Sequence, residues 1–331
     1  MDKVRLGLIG CGGIMQGFHA KHLVEFDDVE VVAVADPIEE RRDAMARLFG
    51  AQRVYRNHTE LYDHESAATL DAVYICVEPT AHTDTELRAI DLGLPFLVEK
   101  PMTLDLGLAE TIVKRVAEKK LITAVGFQDR YLDVFDMVKD ELPRHRPGGL
   151  VYGAWVGGIP GVWWWQKKST CGGQLVEQNI HLLDGLRYLF GEPKSVYATC
   201  SRGIVTGRED YDTDDHSTAV IEFDNNYTAT LVSACYLKKE HGYPFCGLRV
   251  FLEDMSIEYR LRTSATFSTD KETRTFMRQL DQGVTEDRTF IDAVKSGDGS
   301  RIRSPYADAL KTLKLGFAAN ESMETGKKIL L

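Results

Sequence analysis

Long hydrophobic runs and an excess of positive charge are both missing from this 331-residue chain. No apolar stretch approaches the roughly 18 residues that a membrane span requires, so we expect no membrane partner. The 40 Lys and Arg residues against 50 Asp and Glu give a net charge of -10, which repels a phosphate backbone. Because no basic stripe alternates with aromatic residues either, nucleic acid is not an expected partner.

Cysteine is also sparse, and the six cysteines form no close pair of the kind that zinc knuckles and redox motifs use. Reduced thiols are typical of the cytoplasm, where we place the protein. The first residues lead straight into an apolar strand, which is not the pattern of a cleavable signal segment. No metal site is predicted, because no ligand set accompanies His19, His22, His58 or His64.

The chain contains enough material for two domains, with 44% hydrophobic and 27% charged residues. Its length exceeds the size at which single cores usually stop growing. Predicted strands and helices alternate as far as Val125, and strands dominate afterwards. We therefore predict a nucleotide-binding domain over 1–125 and a second domain over 126–331.

A glycine-rich turn opens the first domain. The apolar run Lys3–Ile9 leads into GCGGIMQGFHA, and a second apolar strand, Val29–Ala35, ends at an acid about twenty residues beyond the glycines. In a dinucleotide-binding turn, the first glycine allows the tight turn, the second lets the backbone approach pyrophosphate, and the acid accepts ribose hydroxyls. The predicted cofactor contacts are Gly10, Gly12, Gly13, Ile14, Met15 and Asp36.

Two details bear on that assignment. Met15 occupies the third fingerprint position, where Gly or Ala normally permits close packing, so a turn without any ligand is the competing interpretation. Asp36 repels a 2'-phosphate and the residues directly after it supply no cation, which favours NAD. Arg41 and Arg42 follow on the next helix and keep NADP possible.

Polar residues follow three further strands of the first domain. The apolar runs Leu70–Val77, Leu94–Val98 and Leu121–Val125 complete what we predict to be a doubly wound parallel sheet of an α/β domain. Ligands on such sheets bind beyond the carboxyl ends of the strands, so these polar residues are expected to converge on the cofactor. The candidates are Glu78, Pro79, His82, Glu99, Lys100 and Gln128.

Short β-rich runs dominate the second domain, at 150–156, 195–204, 217–223, 227–234, 247–252 and 256–261. They predict an α+β domain with a large, mostly antiparallel open sheet, and Asn225-Asn226 is a candidate two-residue hairpin turn. One face of such a sheet needs helices and the other needs a partner chain or water, which makes an oligomer plausible. Ser304 and Pro305 suit the start of the last helix.

One predicted helix of the second domain carries a row of ionisable groups. The stretch GGQLVEQNIHLLDGLRYLFG, residues 172–191, is mostly apolar and bounded by glycines. Glu177, His181 and Asp184 are spaced four and three residues apart, which places them on one face of a helix. Asp184 is equally compatible with a substrate contact and with an ion pair, for example to Arg187.

Together these motifs resemble the Gfo/Idh/MocA oxidoreductases, a family that groups glucose-fructose oxidoreductase, inositol dehydrogenase and rhizopine catabolism proteins. The likeness covers nearly the whole chain and is carried by the GCGGI turn, Asp36-Pro37, Pro79–His82, Glu99-Lys100-Pro101 and the Gly172-Gly173 helix with its histidine. The resemblance implies a Rossmann domain followed by an α+β domain and a nicotinamide cofactor. It also implies a homodimer or homotetramer formed through the C-terminal sheet.

The resemblance further implies catalytic roles. Lys100 matches the lysine that contacts the substrate hydroxyl, and His181 matches the histidine that moves the proton. Glu177 stands where the family more often has aspartate, which leaves its exact role open. Imidazole titrates near neutral pH and suits a base, a nearby carboxylate favours the imidazolium, and an ammonium group stabilises an alkoxide. Without the other motifs, a histidine on an apolar helix is more often a satisfied core group.

Further candidates for the substrate pocket flank these residues. The stretch Trp163–Lys168, with Trp165 as the candidate contact, offers aromatic faces that suit sugar rings and could wall the substrate pocket, while a core or interface role fits it equally well. Asp129, Arg130 and Tyr131 follow the last strand of the first domain. We expect an NAD(P)-dependent oxidoreductase acting on a secondary alcohol of a sugar, cyclic polyol or sugar derivative. The alternatives are a glycosidase-type enzyme that retains its NAD and a non-catalytic NAD- and metabolite-binding regulator.

Overall fold

The computed structural model describes residues 3–238 and 245–331. The chain divides into two compact units, each with its own hydrophobic core. One unit comprises the chain as far as Gln128 together with Gln282–Leu310, and the other comprises Asp129–Asp281 together with Lys311–Leu331. Residues 282–310, which the sequence analysis assigned to the C-terminal domain, therefore group with the nucleotide-binding unit.

A six-stranded parallel sheet forms the centre of the first unit, as predicted. Its strands lie in the order β3-β2-β1-β4-β5-β6. Strands β2 and β3 extend the sheet on one side of β1, and β4, β5 and β6 extend it on the other side, so the strand order switches between β1 and β4. Such a switch point is where doubly wound sheets bind ligands. The strands are β1 (Val4–Ile9), β2 (Val29–Ala35), β3 (Arg53–Tyr55), β4 (Ala72–Ile75), β5 (Phe96–Val98) and β6 (Thr123–Val125).

Helices connect these strands, and side-chain caps define where two of them begin. The Asn57 side chain accepts the N–H of Glu60, and the Asp105 side chain accepts the N–H of Leu108. The first connection winds as a π-helix over Met15–His19. The α-helices are Ala20–Leu23, Glu39–Phe49, His58–His64, Thr85–Leu92, Leu106–Lys119 and Gln282–Ser296, with a 3-10 turn at Pro79–Ala81.

The segment 282–310 is bonded to the end of β6. The carbonyl of Ser304 accepts the N–H of Val125 at 2.9 Å, and the Ser304 hydroxyl donates to the Val125 carbonyl at 2.7 Å. Ser304 was predicted to cap the last helix, and its hydroxyl instead joins the helix start to the sheet. That helix begins at Tyr306 and continues to Thr325, and its residues divide between the two units.

A nine-stranded open sheet forms the second unit, in the order β14-β13-β12-β11-β7-β10-β9-β8-β15. Every neighbouring pair is antiparallel except β7 with β10, which confirms the mostly antiparallel prediction. The strands are β7 (Gly149–Val156), β8 (Pro193–Ser201), β9 (His216–Phe223), β10 (Tyr227–Ala234), β11 (Cys246–Phe251), β12 (Ser256–Arg260), β13 (Ser264–Ser268), β14 (Thr273–Met277) and β15 (Ile329–Leu330). The β9–β10 turn has three residues rather than the predicted two, and Asn226 takes the left-handed conformation at φ 65°.

Helices cover one face of this sheet, and the helix Ile180–Phe190 is buried along most of its length. The predicted single helix over 172–191 is interrupted: a short helix ends at Glu177 and the next begins at Ile180. His181 and Asp184 therefore share a helix, as predicted, but Glu177 lies on the one before it. The side chain of Asn179 donates to the Ser233 hydroxyl beneath this break. The other helices are Asp133–Glu141, Lys168–Cys171 and Gln174–Glu177, with 3-10 turns at Gln128–Tyr131, Leu142–Arg144 and Trp163–Gln166.

Within 3–238 and 245–331, no helix combines the length and apolarity needed to cross a membrane. In the same residues, no group of three or more histidine, cysteine or acidic side chains is arranged to hold a metal ion.

Candidate active site

The glycine turn after β1 requires glycine at its first position. Gly10 has a φ of 86°, and a Cβ atom added there would lie 2.3 Å from the carbonyl oxygen of Cys76. Its N–H donates to the Ala35 carbonyl at 2.8 Å, which holds the turn against β2. At Gly12 an added Cβ would meet only the Arg41 guanidinium, at 3.8 Å, and at Gly13 it would meet no described atom within 4 Å. The turn thus presents uncovered backbone, which is what a closely approaching pyrophosphate needs.

Asp36 braces this turn. The side chain is buried, with Oδ2 accepting the N–H of Cys11 at 2.7 Å and Oδ1 accepting the N–H of Ile38 at 2.8 Å. Each carboxylate oxygen has a second acceptor position, so the residue can also accept ribose hydroxyls as predicted. The bracing role itself was not predicted, because it depends on how the turn folds back onto the end of β2.

The residues after β4 form a second polar group. The 3-10 turn Pro79–Ala81 places the buried His82, whose Nδ1 lies 2.5 Å from Oε1 of the buried Glu86. Glu78 accepts a hydrogen bond from the Thr80 hydroxyl at 3.2 Å. Within the part of the chain that the structure describes, His82 Nε2 and the Oε1 atom of Gln128 are buried without a partner. Unpartnered buried polar atoms at the carboxyl edge of this sheet fit a bound dinucleotide.

Glu99 and Lys100 follow β5, and the Lys100-Pro101 peptide bond is cis. Glu99 is buried, with Oε1 3.2 Å from Nε2 of His19 and Oε2 accepting the Lys100 N–H at 3.1 Å. Gly126 makes room for this carboxylate, because a Cβ there would lie 2.5 Å from Oε1. From the sequence, His19 was notable only as one of four histidines without a metal-ligand set. No local pattern reveals its pairing with a residue 80 positions away.

In the second unit, the helix Ile180–Phe190 places His181 against the sheet. His181 is 5% exposed, and its ring stacks on Trp155 of β7 with centroids 5.9 Å apart and planes 21° apart. Asp184, one turn further on, accepts hydrogen bonds from Nε and Nη2 of Arg130 at 2.7 and 2.6 Å and from the Thr312 hydroxyl at 2.8 Å. The ion-pair interpretation of Asp184 is therefore realised, with Arg130 as the close partner. Arg187, the partner suggested from sequence, is 4.0 Å away.

The remaining substrate candidates are also largely buried within the second unit. Asp129 accepts a hydrogen bond from Arg262 Nε at 2.5 Å, and Tyr131 is 2% exposed. Trp165 is fully buried and packs with Cys171 and Cys235, while the neighbouring Trp163 is 61% exposed. For Trp165 the structure therefore favours the core interpretation, and Trp163 is the tryptophan with its ring exposed.

These placements divide the predicted catalytic residues between the units. Lys100 belongs to the first unit, along with the glycine turn, Asp36 and Gln128, while Glu177 and His181 belong to the second.

Comparison with known proteins identifies both parts of the chain. The model of the oxidoreductase family with an NAD-binding Rossmann fold matches residues 4–127, and the GFO/IDH/MocA C-terminal domain matches residues 150–258. Myo-inositol 2-dehydrogenase of Thermotoga maritima is 25% identical over 99% of this chain and 98% of its own length. The scyllo-inositol 2-dehydrogenase (NAD(+)) of Bacillus subtilis is 24% identical over 99% of this chain and 96% of its own length.

A solved structure supports the same fold. An oxidoreductase from Agrobacterium radiobacter in complex with NAD+, L-tartaric acid and magnesium superposes with a TM-score of 0.83 at 18% identity, covering 99% of this chain and 98% of that one. The parallel sheet, the glycine turn and the family match agree that the first unit is an NAD-binding Rossmann domain. The chain belongs to the Gfo/Idh/MocA family of NAD-dependent oxidoreductases.

Proposed function

We propose that this protein is an NAD-dependent dehydrogenase that oxidises a secondary alcohol of a sugar, a cyclic polyol or a sugar derivative. The observation that carries the proposal is that an NAD-binding turn, Lys100 and His181 occur together on a chain that aligns over 99% of its length with inositol dehydrogenases. A binding protein without catalysis would need the turn but would have no chemical use for a base and an alkoxide stabiliser.

Bound NAD supplies the acceptor for the hydride that leaves the alcohol carbon. We assign removal of the hydroxyl proton to His181, because a neutral imidazole is a competent base near neutral pH. The stack on Trp155 fixes the plane of the His181 ring. Glu177, four residues earlier, favours the imidazolium that forms, and the Lys100 ammonium stabilises negative charge developing on the substrate oxygen.

Asp184 acts in this proposal by holding the helix that carries His181. Its bonds to Arg130 and Thr312 are buried and join that helix to two other segments of the second unit. Asp129 and Tyr131 are kept as candidate substrate contacts. Trp163, whose ring is exposed, replaces the buried Trp165 as the candidate aromatic contact for a sugar ring. Asp36 supports a preference for NAD, because its carboxylate repels a 2'-phosphate.

The decisive experiment compares Lys100→Ala and His181→Ala with a matched Lys114→Ala control, whose side chain is exposed on another helix. NADH production is followed with a panel of inositols, aldoses and sugar acids, with NAD and with NADP. We expect each site variant to lose at least about 100-fold in kcat while retaining NAD affinity, and the control to match wild type. Wild-type turnover by the Lys100→Ala/His181→Ala double variant would refute the proposal. Glycoside cleavage without net NADH would instead identify the enzyme that retains its NAD.

We further propose that the protein works in the cytoplasm as a homodimer or homotetramer formed through the open sheet. All six cysteines are free thiols, which supports a reducing compartment. Large apolar side chains are exposed on separate strands of that sheet, including Tyr197 at 45%, Val220 at 37% and Phe251 at 44%. Sedimentation equilibrium of the purified chain tests the assembly, and a monomer at micromolar concentration would refute it.

A further inference from the structure

A row of largely buried ionisable side chains, each in contact with the next, leads to the backbone N–H of Lys100. His19 is fully buried, with Nδ1 2.8 Å from Oδ1 of Asp287 and Nε2 3.2 Å from Oε1 of Glu99. The second oxygen of Glu99 accepts the N–H of Lys100 at 3.1 Å, and the second oxygen of Asp287 lies 2.8 Å from Nδ1 of His22. All five residues belong to the first unit, and neither the glycine turn nor the proposed proton transfer uses His19 or Asp287.

The geometry favours a doubly protonated ring at His19. Both ring nitrogens face carboxylate oxygens, and a neutral imidazole would direct the lone pair of one nitrogen at an acceptor. Burial by itself lowers the pKa of His19, but the charge and hydrogen bond of Asp287, together with the neighbouring Cys76, outweigh burial and hold that pKa well above the usual value. The imidazolium in turn keeps the pKa of Asp287 below its usual range, although burial acts in the opposite direction.

The other groups that face His19 do not compete with this arrangement. Burial raises the pKa of the Tyr74 phenol well above its usual value, so it stays neutral, and its ring meets the imidazole edge-on at 5.3 Å. Burial also raises the pKa of the Cys76 thiol. The titratable groups facing His19 are Asp287 on the helix 282–296, Glu99 after β5, Tyr74 on β4 and Cys76 after β4. His22, on the helix Ala20–Leu23, reaches the other oxygen of Asp287. One cation between two carboxylates is thus the charge state that the packing supports.

We propose that His19 is a positioning residue for the dehydrogenase reaction: its imidazolium fixes the carboxylate of Glu99, which fixes the backbone from which Lys100 extends. This inference rests on the role proposed above for Lys100. Glu99 is held from both ends, by His19 at Oε1 and by the Lys100 N–H at Oε2, and it packs against the bare backbone of Gly126. Loss of the imidazolium frees one end of this carboxylate, and a shift of about 1 Å in a reacting group can cost on the order of 100-fold in rate.

The test compares His19→Gln with His22→Gln as its matched control. Glutamine keeps hydrogen-bonding capacity but carries no charge, and His22 contacts the same Asp287 through its other oxygen. We expect His19→Gln to lower kcat about tenfold to 100-fold while Kd for NAD changes less than about threefold. The control is expected to stay within about threefold of wild type in kcat. Equal losses of kcat in the two variants, together with equal losses of Tm, would reduce His19 to a structural role and overturn the proposal.

A double-variant comparison gives a signature that general loss of stability does not produce. If His19 acts on the rate by holding the Glu99 carboxylate, His19→Gln/Glu99→Gln should lose little more kcat than Glu99→Gln alone. Losses of kcat that add up in the double variant would contradict the proposal.

A measurement on the unmodified protein separates this inference from the proposed function and does not depend on variants folding. Nitrogen NMR of histidine-labelled wild type should show the His19 ring doubly protonated at pH 7, identified by its contact with Tyr74. A neutral ring at pH 7 would overturn the inference whatever the enzyme does. Conversely, full turnover by Lys100→Ala would remove the proposed function while the NMR result still reported the charge state of His19.

Discussion

Replacing Gly10 with alanine should unfold the nucleotide-binding unit more readily than any other single-methyl change in its glycine turn. The φ of 86° at this position strains a residue with a Cβ by about 1–3 kcal/mol. The added Cβ would also lie 2.3 Å from the carbonyl oxygen of Cys76, which is backbone directly after β4 and is not free to turn away. Overpacking of this kind typically costs about 1–3 kcal/mol more.

Gly12→Ala is the matched control, because it adds the same methyl group two residues further along the turn. Its Cβ meets only the Arg41 guanidinium, at an ordinary contact distance of 3.8 Å, and its φ lies outside the left-handed region. We expect Gly10→Ala to lower the Tm by about 10 °C, since each kcal/mol is worth about 2–4 °C in a domain of this size. Gly12→Ala should change the Tm by less than about 2 °C and still weaken NAD binding at least about tenfold, because the methyl group occupies the path of the pyrophosphate.

Thermal unfolding followed by circular dichroism and NAD titration by calorimetry separate the two effects. We expect loss of stability in Gly10→Ala, and loss of NAD affinity without loss of stability in Gly12→Ala. A Gly10→Ala protein that melts with wild type would show that the turn relaxes around the new side chain. Unchanged NAD affinity in Gly12→Ala would show that the cofactor backbone does not pass over this part of the turn.

Two further predictions concern ion pairs. Arg130→Met leaves the buried Asp184 carboxylate without its bidentate partner. Urea unfolding should show the second unit destabilised by about 3–5 kcal/mol, and Arg130→Met/Asp184→Leu should recover most of that stability. If the double variant is as unstable as the single one, the unpaired charge is not the cause. Hydrogen bonding to Arg288 lowers the pKa of Asp28 from 3.8 to about 2, so this pair stabilises the fold above pH 4 and the contribution is lost as the pH falls toward 2. Arg288→Ala should therefore move the midpoint of acid unfolding to higher pH. At neutral pH we expect it to lower the free energy of unfolding by about 1 kcal/mol or less, because solvent screens the pair. Arg274→Ala removes an exposed ion pair and should leave the midpoint unchanged.

Several features of the candidate site could be predicted because they depend on short stretches of chain. The strand, glycine turn and acid at Asp36 follow one another within about forty residues, and their spacing constrains the backbone wherever it occurs. The polar residues after β4, β5 and β6 were predictable for a related reason. Parallel strands bring their carboxyl ends to one edge, so Glu78, Lys100 and Gln128 follow neighbouring strands of one sheet.

Other features depend on hydrogen-bond and ion-pair partners that are distant in the sequence and that no local pattern predicts. Asp184 pairs with Arg130 rather than Arg187, because the arginine 54 positions earlier in the chain reaches its carboxylate with two nitrogens and the one on its own helix does not. The predicted continuous helix over 172–191 is interrupted before Ile180, where the buried Asn179 amide bonds to Ser233 of β10. The spacing of apolar residues predicts which face of a helix is buried, but it does not predict a hydrogen bond to a distant strand.

The amino-acid sequence by itself determined the order of strands and helices along the chain and the need for glycine in the turn after β1. It also determined which polar residues lie at the carboxyl edge of the parallel sheet. Only the tertiary structure decided that 282–310 joins the first unit, that Trp165 is a core residue, and that His19 lies between Asp287 and Glu99. The physical reason is the range of the interactions. Backbone conformation and amphipathic spacing are properties of neighbouring residues, whereas the charge state of His19 depends on carboxylates 80 and 268 positions away that meet it only in the folded chain.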